Sequence, residues 1–350
     1  MIGKWMIYGA NGYTGELTAR AAVARGLRPI LAGRSQSALE PLARELGLER
    51  RVFGLEDPKE VDAGIAGAAL VLHCAGPFSR TARPMADACL RNKAHYLDIT
   101  GEIPVFEALR ARDAEAQAAG VMLLPGAGFD VVPSDCLAAH LKRRLPSATH
   151  LVLGFYSGAG WSRGTATTMA ENIVKGGVIR RDGRFVPVPA AWKARAIDFG
   201  RGPRTCVTIP WGDVSTAYHS TGIPNIEVYM AAPTSMRAGL LISRSLGWLL
   251  RNATVQRLLK ARIRSGPPGP SAVRRESARA VLWGEVTDAG SGRAAARMQT
   301  PEGYTLTVLT SLAIVERVLR GDAPVGFRTP SSAYGPDFVL SVPGVSREDL

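Results

Sequence analysis

Gly9, Gly12 and Gly15 recur at every third position. They follow a short apolar run, Lys4 to Ala10, and open a segment of helical pattern from about Tyr13 to Arg25. A glycine-rich passage from strand to helix exposes backbone N–H groups beside the positive end of the helix, which suits a phosphate. Gly9 permits the tight turn, Gly12 lets a pyrophosphate approach the backbone, and Gly15 lets the helix pack closely. Asn11, Tyr13 and Thr14 lie in the same turn. The spacing is GxxGxxG rather than the stricter GxGxxG, so a tight strand–helix turn with no ligand is the competing reading.

The second apolar run ends Leu31-Ala32-Gly33-Arg34-Ser35. A site for NAD usually places an acid here, on the ribose 2′-hydroxyl. No acid is present. Arg34 offers a guanidinium fork and Ser35 a hydroxyl, a pair suited to a 2′-phosphate, so the expected cofactor is NADP. A solvated arginine, or one stacked on adenine, is the alternative. Asp57 could reach the adenine edge or simply cap a helix. Cys74, Ala75, Gly76 and Pro77 form a small-residue turn against which a nicotinamide ribose could lie, with Phe78 beside the cofactor or in the core.

Hydride transfer needs a positioned nicotinamide and usually one proton donor or acceptor. Tyr96, Asp98, Glu102 and Asp130 fall where that group should stand, with Asp135 nearby. Each acid could equally cap a helix. No serine–tyrosine–lysine trio surrounds Tyr96, which disfavours a short-chain dehydrogenase mechanism. Further on, Trp161 to Thr168 follows an expected strand and opens an expected helix to Lys175. Arg163 and Thr165 in this stretch could hold a carboxylate, a phosphate or a thioester carbonyl, or belong to an ordinary capped helix. No cysteine or histidine spacing suggests a metal site or a disulfide framework.

These residues need elements to position them. Strands are expected at 4–10, 28–32, 51–55, 69–74, 96–99 and 121–124, alternating with helices at 13–25, 37–46, 58–65, 81–92 and 104–119. Alternation implies parallel pairing with right-handed crossovers, an α/β fold with a Rossmann doubly wound parallel sheet. Ligands then bind at the carboxyl ends of the strands, where the candidates stand. After Asp130 the pattern changes: a helix at 133–144, strands near 151–156, 205–210, 214–219, 225–230, 278–287 and 293–299, and a helix at 304–319. This describes a second α+β domain. The expected division is 1–130 for NADP, 131–325 for substrate and dimerisation, and a tail, 326–350, packing back on the first domain, to which the helix at 304–319 could return as well.

Three segments are more specific: Tyr96 to Glu102, Pro125 to Asp135, and Gly326 to Pro330. Together with the glycine turn and Ala32-Gly33-Arg34 they resemble the saccharopine dehydrogenase-like oxidoreductases, in the branch holding trans-acting enoyl reductases. The resemblance is strong over residues 4–135 and looser beyond. It implies an NADP domain, a second domain carrying a substrate cleft, and hydride transfer at carbon. It does not imply saccharopine as substrate, because the basic residues that hold that dicarboxylate have no identified counterparts.

The net charge is +13. It favours anionic partners, an acidic carrier protein among them, yet the basic residues are spread and no nucleic-acid motif is present. Residues 236–263 set Arg237, Arg244 and Arg251 seven apart along an otherwise apolar helical pattern. This stretch is too short and charged to span a bilayer. It could touch a membrane surface, a carrier protein or a second copy in a homodimer, line a greasy substrate cleft, or be an ordinary buried helix. No leader peptide is read at the N-terminus, so a cytoplasmic protein is expected, with membrane association as a variant. The leading reading is an NADP-dependent oxidoreductase acting on a small, acyl or lipid-like substrate, with enoyl reduction favoured. An amino-acid dehydrogenase and a non-catalytic NADP sensor or scaffold are the alternatives.

Overall fold

The computed structural model describes residues 3–350 apart from 159, 161, 165–166, 168–175, 233–251, 253, 256, 259–261, 263–264 and 267. The chain divides into two compact units, Met1–Val132 with Tyr304–Tyr334, and Pro133–Gly303 with Gly335–Leu350.

The first unit is a parallel sheet. Its strands are β1 (Trp5–Tyr8), β2 (Ile30–Gly33), β3 (Arg50–Val52), β4 (Leu70–His73), β5 (His95–Asp98), β6 (Met122–Leu124) and β15 (Gly326–Phe327), in the order β15-β6-β5-β4-β1-β2-β3. Every residue of β1, β2 and β4 is buried. Such continuous burial explains why these strands read as apolar runs without alternation. The crossover helices include α1 (Tyr13–Ala24), α2 (Gln36–Leu46), α3 (Pro58–Ile65) and α4 (Phe78–Asn92). One expected helix, 104–119, is two: α5 (Ile103–Arg110) and α6 (Asp113–Ala119).

A seventh strand joins the six expected ones. Gly326 and Phe327 pair in parallel with Met122 and Leu123. The Phe327 N–H donates to Asp113 Oδ1 over 2.8 Å. Gly326 has φ of +92°, and a Cβ there would lie 2.5 Å from Asp113 Oδ1, so glycine is required for both backbone and space. The helix Gly303–Leu319 leads into this strand, and Tyr304–Tyr334 belongs to the first unit. The observed division therefore differs from the expected one. Residues 304–325, which that division puts in the second domain, return to the first, whereas of the expected tail only 326–334 does.

The second unit is a mixed sheet. Its path runs β10 (Ala194–Asp198), β11 (Pro203–Thr208), β12 (Asn225–Ala231), β7 (His150–Ser157), β13 (Arg279–Thr287), β14 (Arg293–Pro301) and β16 (Ser346–Asp349), with the hairpin of β8 (Gly177–Arg181) and β9 (Arg184–Val188) attached to β12. Strands β7 and β12 are parallel, and their other pairings are antiparallel. The strand expected at 214–219 is instead the helix Asp213–Thr221, closed by Gly222 at φ +70°. Its β-branched residues suggested a strand, but burial of Val214 through Ala217 on a helix outweighs that weak propensity.

Asp113→Ala removes the acceptor of the Phe327 amide at the sheet edge. It should cost about 1–2 kcal/mol in urea unfolding followed by circular dichroism. An unchanged midpoint would show that the edge strand holds by its ladder alone.

Candidate functional site

The glycine turn is built from both sides. Gly9 takes φ of +82°. Its N–H donates to the Ala32 carbonyl over 2.8 Å, which ties the turn to β2. A Cβ on Gly9 would stand 2.8 Å from both the Cβ and the amide nitrogen of Ala75, so the turns after β1 and β4 touch where only glycine fits. A Cβ on Gly15 would lie 2.3 Å from the Gly9 carbonyl oxygen, so the first turn of α1 closes directly on the loop. Gly12 occupies the N-cap and no side chain caps α1. The start of α1 thus lacks a side-chain cap at the end whose dipole suits a phosphate. Tyr13 meets Tyr304 edge to face at 5.1 Å. Asn11 lies over the end of β2, since a Cβ on Gly33 would be 3.1 Å from its Oδ1.

Arg34 follows β2, is exposed, and has no hydrogen-bond or ion-pair partner among the described residues. Ser35 caps α2 by accepting from the Ala38 amide over 3.3 Å, and its hydroxyl lies 3.1 Å from Ser37 Oγ. Asp57 caps α3 by accepting from the Lys59 amide over 2.9 Å, which engages it structurally. Beyond β4, Cys74 to Pro77 form the small-residue turn, and the Cys74 N–H donates to the Tyr8 carbonyl. Burial, and then the charge of Asp98, push the Cys74 thiol up to about 12, so it stays a thiol at neutral pH.

The acids next to this turn hold loops in place. Asp98 is fully buried. Its Oδ2 accepts the Tyr96 hydroxyl over 2.7 Å, and its Oδ1 accepts the amides of Thr100 at 3.0 Å and Gly126 at 2.8 Å. Burial pushes Asp98 up to about 6, against the pull of those donors. Tyr96, also fully buried, is driven well above its usual range by burial and then by Asp98. Thr100 Oγ1 accepts the Glu102 amide over 3.0 Å. Glu102 in turn accepts the Phe78 amide at 2.8 Å and the Ser79 amide at 3.0 Å. Both carboxylate oxygens of Glu102 are thereby spent on the N-terminus of α4.

Asp130 differs. It is partly exposed and has no hydrogen-bond or ion-pair partner among the described residues. Its surroundings are dense enough that burial alone pushes it up to about 7. It faces Gly101, where a Cβ would lie 2.9 Å from Asp130 Oδ2. The loops after β5 and β6 therefore meet at an acid that burial raises toward neutral and that has no partner among the described residues.

Residues 5–124 match the family model described as the saccharopine dehydrogenase NADP binding domain. The match lies within the first unit. A curated relative, the trans-acting enoyl reductase of Mycobacterium leprae, is 32% identical over 184 residues, 48% of this chain and 44% of that protein. The saccharopine dehydrogenase-like oxidoreductase of Mus musculus is 29% identical over 170 residues, 43% of this chain and 40% of that protein. The chain thus matches less than half the length of these relatives. Among solved structures, apo saccharopine dehydrogenase (L-Glu forming) from Saccharomyces cerevisiae covers 99% of this chain and all of its own, with TM-score 0.68 and 12% identity. That likeness shows a shared fold across both units. The glycine turn and the two turns it touches are the parts of the NADP-binding domain that fit the cofactor: uncapped amides for a pyrophosphate and a free guanidinium for a 2′-phosphate.

Elsewhere the geometry is less generous to the expectations. Arg163 directs Nε and a terminal nitrogen onto the Gly266 carbonyl at 2.7 and 2.5 Å, so its guanidinium is engaged within the second unit. Thr165 and most of 236–263 lie outside the described residues. Among the described residues no helix is long and apolar enough to cross a membrane. Three residues near the NADP turns carry weight that no sequence pattern assigned them: Gly101, His73 and Thr81. His73 could have been flagged, because a polar residue ending a fully buried strand needs a partner.

An ordinary aspartate sits at 3.8 and Asp130 at about 7. Between those values the folded chain keeps a proton the unfolded chain has lost, so this group's contribution to stability falls as pH rises through the window. Asp130→Asn should melt higher than the wild type at pH 8, with the gap closing toward pH 4, in paired differential scanning calorimetry. A variant melting lower at pH 8 would contradict a strained, unpartnered acid.

Proposed function

We propose that this chain is an NADP-dependent oxidoreductase that reduces an acyl substrate, an enoyl thioester being the favoured class. The observation that carries the proposal is Asp130, a partly exposed carboxyl with no hydrogen-bond or ion-pair partner among the described residues, which faces Gly101 at the carboxyl end of the NADP-binding sheet and is raised by burial to about 7. NADPH, when bound, supplies a hydride. Arg34 and Ser35 would hold the 2′-phosphate, the turn from Gly9 to Gly15 with Asn11, Tyr13 and Thr14 the pyrophosphate, and Cys74 to Pro77 the nicotinamide ribose. Asp130 would give its proton to the carbon next to the thioester carbonyl, where negative charge develops once the neighbouring carbon is reduced, and would regain one from solvent. Asp98, Tyr96 and Glu102 would act by positioning the loops that carry Asp130 and the turn.

The relatives named trans-acting enoyl reductase support an acyl substrate delivered by a separate protein. The net charge of +13 suits an acidic carrier in that role. Arg163, offered for a carboxylate, a phosphate or a thioester carbonyl, is engaged on a backbone carbonyl and supports none of these substrates.

Fluorescence titration should show NADPH bound more tightly than NADH. Arg34→Ala should weaken NADPH by about ten- to a hundredfold with NADH little changed. Equal binding of both cofactors, indifferent to the substitution, would remove Arg34 from this role. With an enoyl thioester such as crotonyl-coenzyme A, Asp130→Asn should lower kcat by about a hundredfold or more while NADPH affinity holds. Retention of full turnover would exclude Asp130 as the proton donor.

A further inference from the structure

His73 closes β4 at no exposure to solvent. Its ring lies among Tyr8 at 5.4 Å, Phe78 at 5.3 Å and Tyr96 at 6.2 Å. Nε2 stands 3.0 Å from Thr81 Oγ1, and Nδ1 has no partner among the described residues. Thr81 has one hydroxyl hydrogen to give. Its shortest acceptor is the Ala75 carbonyl at 2.7 Å, with the Pro77 carbonyl farther off at 3.2 Å. Spending that hydrogen on Ala75 leaves Thr81 Oγ1 as an acceptor, so His73 must carry its hydrogen on Nε2 and donate it to Thr81. Nδ1 is then a bare lone pair. Burial lowers the ring to about 3, which keeps it neutral and this arrangement fixed at working pH.

The consequence falls on the turn after β4. Ala75 abuts Gly9, where a Cβ would be 2.8 Å away, so moving Ala75 moves the floor of the glycine turn. Glu102 holds the Phe78 and Ser79 amides from the other side. Among these contacts, Thr81 grips the carbonyl of Ala75. A turn gripped in advance need not be ordered when a ligand arrives, and the affinity gained is the ordering cost avoided.

We infer that His73 and Thr81 form a relay that pre-organises the turn from Cys74 to Pro77 for the nicotinamide half of NADP, with His73 acting only through Thr81. Both are positioning residues. The inference rests on the NADP reading of the first unit, and its test separates the two halves of the cofactor. NADPH spans both halves, whereas adenosine 2′,5′-bisphosphate carries the adenosine and 2′-phosphate without the nicotinamide.

Titrate both ligands against wild type, Thr81→Val and Thr81→Ser. Thr81→Val keeps the shape and loses the hydroxyl. It should weaken NADPH about tenfold and change adenosine 2′,5′-bisphosphate by less than about twofold, with Thr81→Ser restoring NADPH. Intact binding of the bisphosphate shows that the unit is folded. Equal loss of both ligands would reduce Thr81 to general scaffolding and overturn the inference, as would unchanged NADPH binding. If Thr81→Val does not fold, His73→Gln and His73→Leu decide. The amide of glutamine can replace the Nε2–H donor, so the leucine variant alone should lose NADPH selectively. Equal behaviour of these two variants overturns the relay. Wild type that binds the bisphosphate but shows no added affinity for NADPH also overturns it, whereas wild type that binds neither overturns the cofactor reading along with it.

Discussion

One buried carboxylate organises the candidate site. Asp98 takes three donors, from Tyr96, Thr100 and Gly126, while its own carbonyl accepts the Ala127 amide over 2.7 Å. The exit of β5 is thereby stitched to the exit of β6. Polar contacts continue outward through Thr100 to Glu102, and from Glu102 to the first amides of α4. Three strand exits are connected through one residue with no access to solvent. Losing a single donor would leave a buried acceptor short, at a cost of about 1–3 kcal/mol, so the network is held as a unit.

Against that background two of the candidate residues read from the sequence stand out. Arg34 and Asp130 have no partner among the described residues, and both reach solvent. A positive charge at the end of β2 costs little in water and is ready for a phosphate. An acid pushed to about 7 costs stability when ionised, a cost that folding alone gives no reason to keep. Structural acids in this unit look different. Asp57 and Glu102 receive amides, and Asp113 receives both Phe327 and Gln117.

The loop that carries Asp130 is steadied from far along the chain. Thr307 Oγ1 accepts the Phe129 amide over 3.0 Å, and Thr310 donates to the Ala127 carbonyl over 2.8 Å. A Cβ on Gly128 would lie 2.7 Å from the Thr307 methyl, so the helix seats against a bare backbone. The same helix brings Tyr304 to Tyr13 beside the glycine turn. The first unit is therefore completed by Tyr304–Tyr334, a segment separated from the rest of it by Pro133–Gly303 of the second.

The sequence by itself determined the parallel sheet, the glycine turn, the missing acid after β2 and the set of acids near the strand exits. Those features are local: a buried parallel strand must be an unbroken apolar run, and a tight turn against a helix must be glycine. It could not rank Tyr96, Asp98, Glu102 and Asp130, because each stands in the same kind of position and each could cap or react. Only the tertiary structure decided that, by where the donors fell. Amides of Thr100, Gly126, Phe78 and Ser79 consume two of the acids, the hydroxyl of Tyr96 is consumed in the same network, and among the described residues no donor reaches the fourth. The strand read at 214–219 failed for a related reason, since burial across a helix outweighed the β-branched pattern of its residues. Donors such as the amides of Gly126, Phe78 and Ser79 lie 23 to 28 residues from the acids they engage and leave no periodicity in a chain.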